Sequence, residues 1–430
     1  MPNKDDIADK YHMPWYAASS NRLVATLGSL KKEVNCDICI IGGGFTGLSA
    51  ALELSKKNYN VILLEKDALA SSASGRNGGQ LQRGYPQSPG DLTEKYGKSD
   101  AKVMCDITME GIQLIRHRIK KYNIKCDFKP GVITTGLDAG HMRGLEEEIK
   151  EWKAIGYDDL ELLDKEQTRE IIKSDAYVGA LFDKEGGHFH PFNYGLGIAR
   201  AAQKAGCKFF DHTRAKKIVH GQSPKVITDE GVVNAKYVIL GGAIRLKGSE
   251  PLMRRSITAT AHIIATEPLG ERRMNNVMTK DVAVSDCRFI MDYYRFSGDT
   301  RLLFGGNCNY SDMGYPGEDK RLRERMVKIF PQLSMVRIDH CWHGPLEFTI
   351  NRLPGLGRLT PNVYYAHGFG GQGVIATNIL GCVLAEAVSG HAERFDVFAK
   401  IKHTNFPGGN LLKRPMFVLG MTWYQIRDLL

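Results

Sequence analysis

No stretch of this chain is long and apolar enough to cross a membrane. A span needs about twenty consecutive apolar residues, and every apolar run here is broken by polar or charged residues well before that. The opening MPNKDDIADKYHMPWYAASS is polar and holds no apolar core of the secretory kind. Internal repeats and low-complexity tracts are missing too. The nine cysteines are odd in number and widely scattered. That argues against a disulfide scaffold and for reduced thiols in a cytoplasmic protein. One CxxC, Cys36 to Cys39, lies inside the apolar run CDICIIG and reads as core packing, so no metal is expected. The formal net charge is +10, but the basic residues come as scattered pairs such as Lys31-Lys32 and Lys216-Lys217. Without a basic block or an aromatic-laced stripe, no nucleic-acid partner is expected.

What is present is a long, glycine-rich chain: 430 residues, 43% hydrophobic, with 46 glycines. That length supports two domains. Asp37 to Ile41 reads as a short apolar strand, Phe45 to Lys57 as a helix with Leu48, Ala51 and Leu52 on one face, and Val61 to Leu64 as a second buried strand. Together they make a βαβ unit. Helices are expected over 99–124, 143–155, 165–173 and 192–205. Lys216 to Leu240 alternates, with a turn at Asp229-Glu230-Gly231. Residues 258–310, rich in β-branched and aromatic side chains, predict an antiparallel sheet. Val363 to Ala366 is a last strand, running through HGFGGQG into a helix from Val374 to Val388. The fold class is therefore α/β: a Rossmann-like βαβ domain with a second α+β substrate domain dominated by an antiparallel sheet. The cofactor domain is discontinuous, over 33–90, 190–245 and 345–400, and the substrate domain takes 91–189 and 246–344. The tail 401–430 ends in RPMFVLGMTWYQIRDLL. It is expected as a helix packed on the body or a partner subunit, with contact to a membrane surface as the alternative.

The strongest local signal is Gly42-Gly43-Gly44-Phe45-Thr46-Gly47. Gly42, Gly44 and Gly47 fit G-x-G-x-x-G between a strand and a helix. Gly42 permits the tight turn, Gly44 lets backbone approach a pyrophosphate, and Gly47 lets the helix pack on the strand. The helix N-terminus offers free N–H groups and partial positive charge to the anion. Glu65 closes the second strand. There its carboxylate accepts hydrogen bonds from ribose hydroxyls and repels a 2′-phosphate, favouring FAD or NAD over NADP. Two further segments favour flavin. Ser71 to Gln80, SSASGRNGGQ, is a polar loop with one cation, Arg76. His367 to Gly373, HGFGGQG, is a second glycine-rich strand-to-helix turn, for which a plain NAD enzyme has no need.

On these segments, with WYAAS, YYRFSGDTRLLFGG, INRLPGLGRLTPNVYYAHGFGGQGV and FPGGNLLKRPMFVLGM, the chain resembles the D-amino-acid-oxidase superfamily of FAD-dependent oxidoreductases nearly end to end. Within it the chain is most similar to the gamma-glutamylputrescine oxidoreductases and their amine-oxidising relatives. The resemblance implies extended FAD, with adenosine by Glu65 and Lys66 and pyrophosphate by Gly44, Phe45 and Thr46. Isoalloxazine would lie near Arg76 to Gln80 (Arg76, Asn77, Gly78, Gly79, Gln80) and near Gly371, Gln372, Gly373 and Val374, with Ser74 and Gly75 also counted as cofactor-binding. It also implies hydride transfer from carbon beside nitrogen to the flavin, giving an imine that hydrolyses to an aldehyde and an amine. The sequence departs from the family twice. The late loop reads AHGFGGQG where AQGYSGHG is usual, and Gly241-Gly242-Ala243 stands where relatives tend to read ACNAY or ATNAY. Relatives with covalent flavin carry a His in the first loop or a Cys before the NRLP segment. Here that loop has no His and Cys341 falls too early, so the FAD is expected to be non-covalent.

Amine oxidation needs the neutral amine, hence a base or a desolvated pocket. The candidates are His367, His343, Glu347 and the tyrosines Tyr293 and Tyr294, of which, as successive strand residues, one is expected in the core and one in the pocket. Amino-acid oxidases of this superfamily hold the substrate carboxylate with an Arg-Pro pair whose place here is Leu346-Glu347. A carboxylate stands where the guanidinium fork would be, and the role of Arg352 stays open. The expected substrate is a small amine remote from any α-carboxylate, gamma-glutamylputrescine or a related polyamine conjugate. Reoxidation falls to oxygen or another acceptor. The alternatives are an amino-acid or sarcosine-type oxidase, a flavoprotein acting on a modified tRNA nucleotide, and a non-catalytic flavin-binding protein.

Overall fold

The computed structural model describes residues 14–21, 24–242, 245–309 and 317–427. Its first strand, Glu33–Ile41, is longer than the apolar run alone predicts, because its beginning, Glu33 to Cys36, pairs with Val232 to Ala235 at the start of Val232–Gly241. The helix Phe45–Lys56 follows and stops where Asn58 takes φ 63, the left-handed conformation that ends a helix. Val61–Leu64 is buried at every position, as a parallel strand covered on both faces must be.

These strands belong to an eight-stranded sheet in the order Gly355–Thr360, Val363–His367, Val232–Gly241, Glu33–Ile41, Val61–Leu64 and Lys208–Phe210. All neighbours along this path are parallel except Gly355–Thr360 with Val363–His367. Lys217–Val219 and Lys225–Ile227 complete it as a meander, and the turn before Val232 is closed by Thr228 and Gly231. Helices Phe45–Lys56 and Gly373–Val388 pack together against this sheet, and Pro191–Lys204 packs on Phe45–Lys56.

The second sheet has nine strands: eight run from Ile338–Thr349 through Ser256–Thr266, Leu302–Asn309, Tyr293–Phe296, Ala283–Asp286, Lys129–Gly136 and Gly179–His188 to Gln80–Leu81, and the ninth, Leu160–Leu163, pairs with Gly179–His188 off this path. Residues 258–310 are not one uninterrupted antiparallel set. The helix Gly270–Asn275 breaks them, and Ala283–Asp286 pairs in parallel with Lys129–Gly136. Ile338–Thr349 pairs along its whole length with Ser256–Thr266, so the chain stays in this sheet to Thr349 and crosses at 350–354 rather than near 345. Gln80–Leu81 already belongs to it.

Helix Lys98–Lys121 spans the two halves. Its Arg118, 1% exposed, donates to Ser49 Oγ at 2.8 Å and Glu53 Oε1 at 2.9 Å on the first helix of the cofactor sheet. A buried guanidinium is stable only with such partners. Cys36 and Cys39 are buried in the apolar core beneath the first sheet. No single described helix is long and apolar enough to cross a membrane.

Candidate active site

The turn after the first strand is built by close backbone approaches. Gly42 has φ +108, a region that favours glycine. A Cβ on Gly47 would lie 1.9 Å from the Gly42 carbonyl oxygen, so only glycine lets this helix start where it does. Gly43, unremarked in the motif, is also crowded, though by side chains that can give, with its Cβ position 2.8 Å from Leu69 Cδ2 and 3.1 Å from Glu65 Cβ. The Gly43 N–H donates to Glu65 Oε2 at 2.7 Å and the Asp67 N–H to Oε1 at 2.9 Å. The carboxylate, on a residue 8% exposed, is thus clamped in place and keeps lone pairs for a ligand. Ser74 Oγ accepts the Phe45 N–H at 2.9 Å, tying the second loop to the start of the helix.

One cavity of about 1650 Å³ runs along these segments. Small-molecule sites usually measure about 300–1,000 Å³, so this one has room for a dinucleotide and a second molecule. It begins at Glu65, Lys66 and Thr213–Ala215 and passes Gly42, Gly44, Phe45, Thr46 and Ser74. It continues along Arg76, Asn77, Gly78, Gly79 and Gln80 to Gly371, Gln372, Gly373 and Val374. Gly47 and Gly75 do not line it; a Cβ on Gly75 would meet the Ala70 carbonyl at 2.1 Å, which makes its role one of packing. Thr213, Arg214 and Ala215 were not anticipated. They follow the strand Lys208–Phe210, whose pairing beside Val61–Leu64 brings its end next to Glu65. Gly241 and Gly242 also line the cavity, while Ala243 lies outside the described residues.

The polar loop is held from behind by side chains distant in sequence. Arg295, buried, donates from Nε to the Gly78 carbonyl at 2.6 Å and from an Nη to Tyr16 Oη at 2.9 Å. Trp342 Nε1 donates to the Arg76 carbonyl at 3.0 Å. Gly79, at φ +70, has no room for a Cβ, which would lie 2.1 Å from the Phe189 carbonyl. The WYAAS segment therefore serves this loop, since its Tyr16 is fully buried between Arg295 and Trp342.

The four candidate catalytic residues do not converge on one point. Tyr293 lines the cavity, its ring wedged between Gly78 and Gly305, where a Cβ would approach to 2.9 and 2.2 Å. Burial and the neighbouring Cys308, Tyr16 and Asp292 push its phenol well above the usual range, so it stays protonated. Tyr294 faces the other way into the core, stacked on Phe304 and bonded to the Tyr177 hydroxyl at 3.1 Å. Glu347 lines the cavity, its Oε1 accepting from Ser256 Oγ at 2.6 Å and its Oε2 from the Gly368 N–H at 2.8 Å. Burial raises its pKa, but His367, the Ser256 hydroxyl and the Gly368 N–H outweigh that and hold it below the ordinary carboxylate range. His367 is buried behind Glu347 and is not on the cavity wall. His343 is exposed, packed near His262 at 5.9 Å between ring centroids, and also lies off the wall.

Arginines do reach the cavity. Arg288 is engaged by Asp286 and Asp292, and the Arg352 guanidinium stacks 4.7 Å over Phe289. Lined by Tyr293, Glu347, Phe289, Arg352 and Phe417, this end of the cavity is closed in part by the tail helix Gly409–Arg427. Among the described residues no group of three or more His, Cys, Asp or Glu side chains could hold a metal ion.

Residues 37–387 match the family model described as FAD dependent oxidoreductase. The chain is 38% identical to gamma-glutamylputrescine oxidoreductase of Escherichia coli (strain K12), over 96% of this chain and 97% of that one. It is 36% identical to the probable oxidoreductase OrdL of Haemophilus influenzae, over 98% and 99%. Among solved structures, glycine oxidase from Geobacillus kaustophilus superposes with a TM-score of 0.69 at 20% identity, covering 83% of this chain and 95% of that chain. L-proline dehydrogenase from P. horikoshii gives 0.68 at 19%, covering 84% and 94%.

Proposed function

The chain belongs to the family of FAD-dependent oxidoreductases, its cofactor is FAD, and we propose that it oxidises a small amine remote from any α-carboxylate, gamma-glutamylputrescine or a related polyamine conjugate. The cavity fits FAD. Gly44 leaves its wall bare where a Cβ would press on Ser74 Oγ at 2.8 Å. Glu65 offers a clamped carboxylate at one end, and Gln372 Oε1, buried without a hydrogen-bond partner among the described residues, stands at the other. Glu65 and Lys66 would take the adenosine. The first helical turn, with the Thr46 N–H and the Ser74 hydroxyl that the Phe45 N–H holds in place, would take the pyrophosphate. Arg76 to Gln80 and Gly371 to Val374 would hold the ring system. No His or Cys side chain stands among the proposed ring-holding residues, which supports non-covalent attachment.

The observation that carries the substrate reading is Glu347. An anionic carboxylate on the cavity wall attracts a cationic amine, and it would repel an α-carboxylate at the place where amino-acid oxidases present a guanidinium. When bound, FAD accepts the hydride from the carbon beside the amine nitrogen. Glu347 holds and orients the ammonium and takes up its proton. Tyr293, protonated, donates a hydrogen bond or packs against the substrate but does not act as base. Phe289, Phe417 and the tail helix exclude water. The E. coli relative's name supports this class.

Anaerobic mixing with candidate amines tests the proposal. The yellow flavin absorbance should bleach with putrescine conjugates and respond poorly to D- and L-amino acids. Efficient bleaching by simple α-amino acids would overturn the substrate class, and bleaching with modified tRNA alone would replace it.

A further inference from the structure

Behind Glu347 lies a buried histidine pair. His367 is 1% exposed and its Nδ1 sits 3.8 Å from Glu347 Oε2. His403, half-buried in the segment after the helix Glu393–Ala399, faces it with ring centroids 6.3 Å apart. None of their four ring nitrogens makes a hydrogen bond among the described residues. Buried polar nitrogens are nearly always satisfied, by protein or by ordered water. Gly355 places both rings against one point, since a Cβ there would lie 2.8 Å from His367 Nε2 and 3.3 Å from His403 Nε2.

We propose that Glu347, His367 and His403 form a path by which the substrate's proton leaves the site, completed by a water bound between the two Nε2 atoms on the flank of Gly355. The path rests on reading the reaction as amine oxidation. An ammonium seated at Glu347 loses one proton. Its N–H bond breaks, the electron pair stays on nitrogen, and an N–H bond forms at His367 Nδ1 by way of the carboxylate. His367 releases its Nε2 proton to the water, and the water passes one to His403. One ammonium and one neutral imidazole become one free amine and one imidazolium, so atoms and charge balance.

The surroundings favour transfer over retention. Glu347, its two oxygens accepting from Ser256 Oγ and the Gly368 N–H, is held as the carboxylate and does not keep the proton. His403 is pushed down to about 4 by burial, by His367 and by Arg255, while the Pro354 carbonyl acts in the opposite sense. Tyr365, whose ring packs on His367 at 5.5 Å, is itself engaged by Arg255, and Lys413 lies within electrostatic reach of Glu347.

Gly355→Ala sets a methyl against His367 Nε2, and His403→Gln removes the second ring. Neither residue lines the cavity, so flavin content should match the wild type. Stopped-flow reduction by the best amine should slow about tenfold or more near pH 7. It should converge on the wild type as the pH nears the free amine's own pKa, about 10. No slowing, or equal slowing at every pH, overturns the path. Should Gly355→Ala lose its flavin, His403→Gln decides alone. Failure of the substrate reading is distinct: no amine would bleach the wild type. In that event the ring-15N resonances of His403 still decide, moving on Glu347→Gln if the three groups are coupled and staying unmoved if they are not.

Discussion

Gly44 and Gly47 belong to one motif yet do different work. Gly47 cannot carry a side chain because the Gly42 carbonyl oxygen is 1.9 Å from its Cβ position. Gly44 sits at φ −81 and ψ −176, a backbone that any residue adopts, and faces the cavity. Gly44→Val should therefore fold and fail to hold FAD. The flavin-to-protein ratio should fall about tenfold or more, a loss of roughly 1.4 kcal/mol in binding, with an unchanged far-ultraviolet spectrum. A fully yellow, folded variant would remove the pyrophosphate assignment.

Glu347 invites a second substitution at this scale. Glu347→Gln keeps the shape and deletes the charge. A hydrogen bond to a charged group is worth about 1.5–3 kcal/mol, so KM for a cationic amine should rise roughly tenfold to a hundredfold while flavin content holds. Its carboxyl is also depressed in the folded state, from an ordinary value of 4.5. The stability it contributes is complete above that value and disappears as pH falls through the folded pKa. The difference in denaturation midpoint between wild type and Glu347→Gln should therefore stay constant from neutrality down to about 4.5 and shrink only as the pH falls below that, and a gap that widens on acidification would contradict the assignment.

At the scale of elements, the late strand-to-helix turn and the tail act together. Phe417 on the tail helix packs 6.1 Å from Phe348 and 6.0 Å from Phe406, and Lys413 donates to the Met253 carbonyl at 2.7 Å and to that of Ser256. Leu412, Met416 and Leu419 remain exposed, so the helix Gly409–Arg427 covers the cavity with one face only. That the tail helix lies over the cavity mouth follows from contacts with Phe348 and Ser256, which no local pattern encodes. Truncation before Gly409 should leave the flavin bound and raise KM for the amine severalfold. It should also speed quenching of flavin fluorescence by iodide. Unchanged KM and quenching would show that the helix shields nothing.

Across the whole molecule, two sheets enclose one cavity, and the loop Arg76–Gln80 connects them. If the flavin is retained by this enclosure and not by a bond, acid precipitation should release all of it to the supernatant, because unfolding dismantles both walls at once. Colour left in the pellet would indicate covalent attachment. Much of the architecture was legible from local signals. The βαβ unit, the glycine turn and the late helix rest on periodicity and backbone conformation, which act between residues close in sequence. Strand Ile338–Thr349 was less legible, because its half-polar pattern hides a pairing with Ser256–Thr266 that closes over a long loop.

By itself the amino-acid sequence determined the glycine turn between the first strand and its helix, the place of Glu65 at the end of the second strand, and the splitting of Tyr293 and Tyr294 to opposite sides of theirs, since steric demands at glycine and the two-residue repeat of a strand are local. Only the tertiary structure decided that Glu347 lines the cavity while His367 stands behind it and His343 outside. Those three sit within a short stretch of sequence or on neighbouring segments, and their chemistry alone made them equal candidates. Which of them meets the substrate depends on how two sheets pack, and that packing is set by burial of residues far apart in the chain.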